Sequence, residues 1–143
     1  MMIVLSLKEW FFDLVRPLSV SDDAKAYIID VMARPERSDL SKESIVIARV
    51  NAMNFIDYQR IGDWALWVGS MNHSCEHRVV IETFGRMSYH NCYNLLGRKM
   101  SVYEELSQDL PIIVDQIHLQ LNELQEKYNY KYVNSQQQER QST

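Results

Sequence analysis

Three groups of side chains in this chain are of types that could do chemistry. His73, Cys75 and His77 stand at alternate positions, and His90 and Cys92 follow, so five residues able to ligate zinc lie between 73 and 92. A helix over 76–96 would disperse them. His77 and His90 would stand roughly 20 Å apart along its axis, and His90 and Cys92 would point about 200° apart around it. No metal site is expected from this group, and the cysteines read as ordinary reduced thiols. The second group is a polar stripe, Glu82, Arg86 and His90, at i, i+4, i+8, with Tyr89 and Tyr93 at its edge. Its plain reading is a solvated face with a favourable Glu-to-Arg pair of about 0.2–0.5 kcal/mol. Its functional reading is a pocket for an anion or small ligand, with Arg86 binding charge and His90 giving or taking a proton.

The third group sets Arg60 and Asp63 beside Trp64 and Trp67. An aromatic wall with one arginine could hold a ligand, while the plainer reading has Asp63 capping the following helical turn and pairing with Arg60. Arg60, Asp63, Trp67, Arg86 and His90 are therefore the candidate ligand-binding residues. No residue is a candidate catalyst. Glu104, Glu105 and Asp109 are acidic neighbours with no histidine at ligand spacing, and there is no Gly-rich phosphate loop, nucleophile elbow or H-E-x-x-H pair. No cofactor is implied, and nothing in the sequence asks for an enzyme.

The element that must position most of these residues runs from Ser74 to Gly97. Val80, Phe84, Met87, Asn91 and Leu95 recur at spacings of three and four, with Ile81, Ser88 and Cys92 alongside, which predicts a helix with neighbours on more than one side. Ser74 could cap its start and Gly97 close its end. Gly85, in the middle, costs about 1 kcal/mol against alanine in a helix and implies close approach of another helix.

Before it, the Ser6–Glu9 capping box predicts a short helix ending before Pro17. Ser21, with Asp22 and Asp23 behind it, starts a second helix that Pro35 stops. Ser41 caps a third, with Leu40 and Ile45 placed as a hydrophobic staple. Ala48, Ala52, Phe55 and Ile56 then keep helical spacing with no turn signal, so this helix is expected to run on to a break or kink at Gly62-Asp63. Trp64, Trp67, Val68 and Met71 continue the pattern, and a loop is expected from Gly69 to Ser74. After Gly97, Ser101 to Glu104 is another capping box. Pro111 predicts a kink or a fresh start near Asp109. Leu110, Val114, Ile117, Leu121, Leu124 and Tyr128 then form a heptad-like seam, either the core stripe of a bundle helix or a coiled-coil contact. The tail from Asn134 is polar and is expected to be disordered.

A charged share of 24% with only 4 Gly and 3 Pro suits an all-α protein and argues against an all-β fold, which would need more turns. The formal net charge of −4 supplies no global pull toward nucleic acid or an acidic membrane. No stretch reaches the length of a membrane span, and the apolar start lacks the basic lead of a signal peptide. The expectation is an all-α, single-domain helical bundle of about five or six helices over residues 1–133, with a disordered polar tail over 134–143, located in the cytoplasm.

The segments GDWALWVGSM, VIETFGRMSY and VYEELSQDLPIIVDQI resemble a group of uncharacterised, all-helical bacterial proteins. Gly62, Asp63, Gly69, Gly85 and Tyr89 occupy the matching places, and Phe84 stands where that pattern usually has methionine. The resemblance covers somewhat under half the chain; it implies a helical fold and supplies no catalytic residue. Three functions follow. The first is self-association as a homodimer, or partner docking, through the Leu110–Tyr128 seam. The second is small-molecule binding near Arg86, His90, Trp64 and Trp67. The third is an enzyme of unknown class, which would need paired titratable groups in a cleft.

Overall fold

Two helix starts among the described residues carry side-chain caps, Ser21 and Asn54. The computed structural model describes residues 7–34, 42–72 and 77–141, with side chains over 9–34, 44–72 and 77–126. Six helices occur among the described residues: α1 (Leu7–Val15), α2 (Asp22–Met32), α3 (Lys42–Asn51), α4 (Phe55–Met71), α5 (Arg78–Leu95) and α6 (Ser101–Gln141). No strand is present among them, and the protein is an all-α single-domain bundle. No described helix is long and apolar enough to cross a membrane. The Ser6, Leu40–Ser41 and Ser74 signals lie outside the described residues.

Ser21 caps α2 as its sequence predicts, its hydroxyl accepting from the Ala24 amide at 3.1 Å. The same hydroxyl donates to Glu105 Oε2 at 2.6 Å, and the Ser21 amide donates to Glu105 Oε1 at 2.7 Å. One carboxylate of α6 thus holds the start of α2, a tie across 84 positions that no local pattern announces.

The break between the third and fourth helices comes earlier than expected. It falls after Asn51, where Asn54 caps α4 by accepting from the Asp57 amide at 3.0 Å, while Asp57 accepts from the Met53 amide at 3.1 Å. This reciprocal cap outweighs the continuous apolar spacing. Gly62-Asp63 is accordingly not a break but the interior of α4, and Gly69 is helical rather than the start of a loop. The glycines are there for contact. A Cβ at Gly62 would fall 2.6 Å from Tyr89 Cε1, and one at Gly69 would fall 3.1 Å from Val114 Cγ1. A Cβ at Gly85 would fall 2.6 Å from Ala65 Cβ, as the close approach predicted for that residue requires. Gly62, Ala65 and Gly69 therefore form one stripe of small residues along α4, against α5 and α6.

The pairing of α4 with α5 is the most extensive in the bundle; α6 packs along both, α1 and α2 lie against α6, and α3 rests on α4 and α5. Leu14, Ile28, Leu66, Leu106, Leu110 and Ile117 are among the side chains that fill the core. In the α6 seam, Leu110, Val114, Ile117 and Leu121 are buried in this core and Leu124 packs against it; the side chain of Tyr128 lies outside the described ones. The described part of the seam is thus spent within the chain. Pro111 starts no new helix: α6 is continuous through it, and its backbone remains helical through the polar stretch from Asn134 to Gln141.

Candidate functional site

The two faces of α5 do different work. Ile81, Gly85, Ser88, Tyr89 and Cys92 are buried against the bundle, while Arg86 and His90 face a cleft of about 700 Å³. That volume lies in the range of small-molecule sites, about 300–1,000 Å³. The opposite walls come from other elements: Arg49 from α3, Arg98 from the turn after α5, and Glu104, Ser107 and Gln108 from α6.

Each cation is held in its own way. Arg86 Nε donates to the Ser107 carbonyl at 2.9 Å. The Asn91 amide, oriented with its oxygen toward α3, accepts from Arg49 Nη1 at 3.0 Å and Nη2 at 3.1 Å, and its nitrogen donates to the Met87 carbonyl. The Arg49 guanidinium also lies 5.0 Å from the centre of the Tyr58 ring, a cation–π distance.

Arg98 is placed by the end of α5. The Gly97 amide donates to the Asn94 carbonyl at 3.0 Å and the Arg98 amide to the Tyr93 carbonyl at 2.9 Å, the paired bonds of a Schellman turn. Gly97 closes the helix as its position predicts, with φ 67°. Arg98 also takes a left-handed backbone, φ 62°, which costs a residue with a Cβ about 1–2 kcal/mol. Its Nε donates to Asn94 Oδ1 at 3.2 Å.

Three arginines and a histidine thus meet one carboxylate, Glu104, among the described lining residues. Glu104 is engaged with the Tyr93 hydroxyl, a hydrogen bond that raises the phenol's pKa. The arrangement can gather negative charge, and its arginines suit planar oxyanions better than lysines would.

Of the residues expected to bind a ligand, Arg86 and His90 share this cleft, and Arg60, Asp63 and Trp67 do not line it. Arg60 borders a separate hollow of about 180 Å³ with Asp57 and Ala48. Trp64 and Trp67 pack half-buried against the core. The stripe is not the simple pair it resembles either. Glu82 is buried and bonds Arg78 Nε at 2.6 Å, and Arg78 also binds Asp115 of α6; Arg86 is left to Ser107.

Asp63 differs most from expectation. It lies inside α4, caps nothing and pairs with Arg34 rather than Arg60. Its Oδ1 accepts from the Tyr27 hydroxyl at 2.5 Å and the Tyr89 hydroxyl at 2.8 Å, and its Oδ2 from Arg34 Nη1 at 2.8 Å. Burial pushes its carboxyl up from the ordinary aspartate range, against the pull of these three donors. Burial and the carboxylate together raise the Tyr27 and Tyr89 phenols, which stay protonated. Tyr103 extends the cluster: its ring lies edge-on to Tyr27 at 5.4 Å, and its hydroxyl accepts from Gln59 Nε2 at 2.9 Å. With Tyr27, Tyr89 and Arg34 all donating to its carboxylate, this cluster is a structural hub.

His73 and Cys75 lie outside the described residues. His77 precedes the first turn of α5 without capping it, and Cys92 is buried with its thiol 3.8 Å from the Phe55 carbonyl, so His90 and Cys92 occupy different faces of α5. Sequence reasoning missed Arg49 and Arg98. Arg98 had a signal, since it follows the glycine that ends α5; Arg49 had none, because only tertiary packing of α3 brings it to the cleft. Comparison of the chain with protein-family models, curated proteins and solved structures found no match.

Proposed function

We propose that the protein binds a small, negatively charged ligand in the cleft between α3, α5 and the start of α6, as a binding module without chemistry of its own. One observation carries this reading. Arg49, Arg86, His90 and Arg98, from three separate elements, face one cleft in a chain whose formal net charge is −4. Cations gathered against the overall charge need a local reason, and a clefted anion supplies one. The left-handed backbone at Arg98 points the same way, because strain of this kind concentrates at functional sites. Isothermal titration with inorganic pyrophosphate tests it. The wild-type chain should bind, more weakly as salt rises, and Arg49→Gln or Arg98→Gln should each weaken binding roughly tenfold, the loss of one charge-assisted contact. Binding that is absent, or indifferent to both substitutions, would overturn the reading.

Self-association keeps one observation in its favour, on a surface other than the α6 seam. Ile47 and Val50 of α3 are 62% and 78% exposed, and Met53 and Ile56 beyond them are also bare. A homodimer would then meet through α3 and the start of α4. Light scattering separates the cases: a dimer that Val50→Glu dissociates supports this surface, and a wild-type monomer excludes it. The buried free thiol of Cys92 is in keeping with a cytoplasmic setting.

A further inference from the structure

Pro111 stands inside α6 and has no amide hydrogen, so the carbonyl of Ser107, four residues earlier, loses its helical donor. Ser107 is buried, and an unpaired carbonyl there would be costly. The donor that replaces it comes from α5, where Arg86 Nε reaches this oxygen at 2.9 Å. Among the described residues this is the hydrogen bond that orients the Arg86 side chain. A guanidinium carries five N–H groups in one rigid plane. Once Nε is committed to Ser107, the plane is fixed and the Nη1–Nη2 edge remains on a side chain that lines the cleft. Two parallel donors held in one plane match the paired oxygens of a carboxylate or a phosphoryl group.

We infer that Arg86 is the fixed oxyanion clamp of the cleft, that Pro111 is its positioning residue, and that the ligand presents a carboxylate or phosphoryl group to it. The inference rests on an anion occupying the cleft and adds which group of that anion is read and by which edge. Arg49, held by Asn91 and the Tyr58 ring, and Arg98, on its strained turn, flank the clamp and supply charge. The proline looks unfavourable for α6 alone, and the Arg86 bond gives it a purpose.

The test uses the full chain, with inorganic phosphate and succinate as separate probes in isothermal titration, alongside thermal melts of every variant. Pro111→Ala returns an amide hydrogen to the Ser107 carbonyl and so competes with Arg86 Nε. It should melt at or above the wild-type temperature yet bind the preferred probe roughly tenfold more weakly, the worth of one charge-assisted contact. Arg86→Lys should lose affinity similarly, because the three donors of an ammonium diverge from one nitrogen and cannot offer a parallel, coplanar pair to two ligand oxygens while one of them holds Ser107, and it carries the test independently of any change in α6. Tighter phosphate identifies a phosphoryl ligand, tighter succinate a carboxylate, and either result supports the clamp. Wild-type affinity in both Pro111→Ala and Arg86→Lys, with Arg49→Gln and Arg98→Gln still impaired, overturns the clamp and leaves the cleft standing. A wild-type chain that binds neither probe removes the cleft and the clamp together.

Discussion

Tyr89 donates its hydroxyl to Asp63 Oδ1 at 2.8 Å, and its ring lies where Gly62, one residue before that aspartate, has no side chain. The glycine makes room for the ring, and the ring delivers the donor that a buried carboxylate needs. Tyr27 of α2 and Arg34, just beyond the end of that helix, reach the same carboxylate, so one buried acid joins α2, α4 and α5. Asp63→Ala and Tyr89→Phe should therefore each cost about 1–3 kcal/mol, since each breaks the buried Tyr89–Asp63 hydrogen bond, while the half-exposed Arg34 can turn to water. Arg34→Ala should destabilise and Arg60→Ala should not. Urea denaturation measures all four, and equal effects of the two arginines would contradict this pairing.

The pH dependence of the hub has a definite sign. Burial raises the Asp63 carboxyl in the folded chain, so folding favours the protonated acid. The contribution of this group is then most favourable in acid, below the ordinary aspartate range, and is lost as pH rises through the raised value. Asp63→Asn should remove that part of the decline. A stability difference between wild type and Asp63→Asn that is constant from pH 3 to 7 would count against it.

Gly85 lies against a neighbour that cannot yield, since Ala65 Cβ is fixed to the backbone of α4 and an added Cβ would fall 2.6 Å from it. Gly85→Ala should destabilise by about 1–3 kcal/mol through overpacking, despite the roughly 1 kcal/mol that alanine gains over glycine in an open helix. A stabilised variant in thermal or urea unfolding would mean that α4 and α5 stand further apart.

Arg98 separates stability from function. Arg98→Gly relieves a left-handed residue and should raise stability by about 1 kcal/mol, while anion binding falls with the lost cation. Paired melting and titration curves for the single variant check both halves, and a loss of stability would show that the side chain is structural.

Cys92 should be inert. Burial, then the charge of Asp63, pushes its thiol up to about 12, so the thiolate that alkylating agents need is scarce at pH 8. Mass spectrometry of the Cys92 peptide should show no iodoacetamide adduct on the folded chain and full reaction in urea. Rapid modification under native conditions would place this thiol at the surface.

The legible parts of this fold were those written in local signals. Ser21 as a cap, Gly97 as a helix end, Gly85 as a close approach and the buried stripe of α6 each follow from a few neighbouring residues. The errors came where a local pattern met distant packing. Gly62 read as a break because glycine usually marks one, and only the Tyr89 ring explains it as a helical contact. Asp63 read as a cap because its partners, Tyr27 and Arg34, lie about thirty positions earlier, on another helix and just beyond its end. Pro111 read as a kink or a fresh start, and α6 runs on through it because Arg86, which belongs to α5, satisfies the carbonyl it strands. Half of the cleft was visible as the Arg86–His90 spacing on one helix face; Arg49 and Arg98 joined it only through the placement of α3 and the turn at Gly97.

The central claim is that the cleft between α3, α5 and α6 holds an anion, and a phosphate titration followed by amide and side-chain NMR tests it most directly. The account predicts saturable shifts concentrated at Arg49, Arg86, His90, Tyr93 and Arg98, and absent from Arg60 and Trp67. Shifts scattered over the surface without saturation, or centred on Arg60 and Trp67, would contradict it.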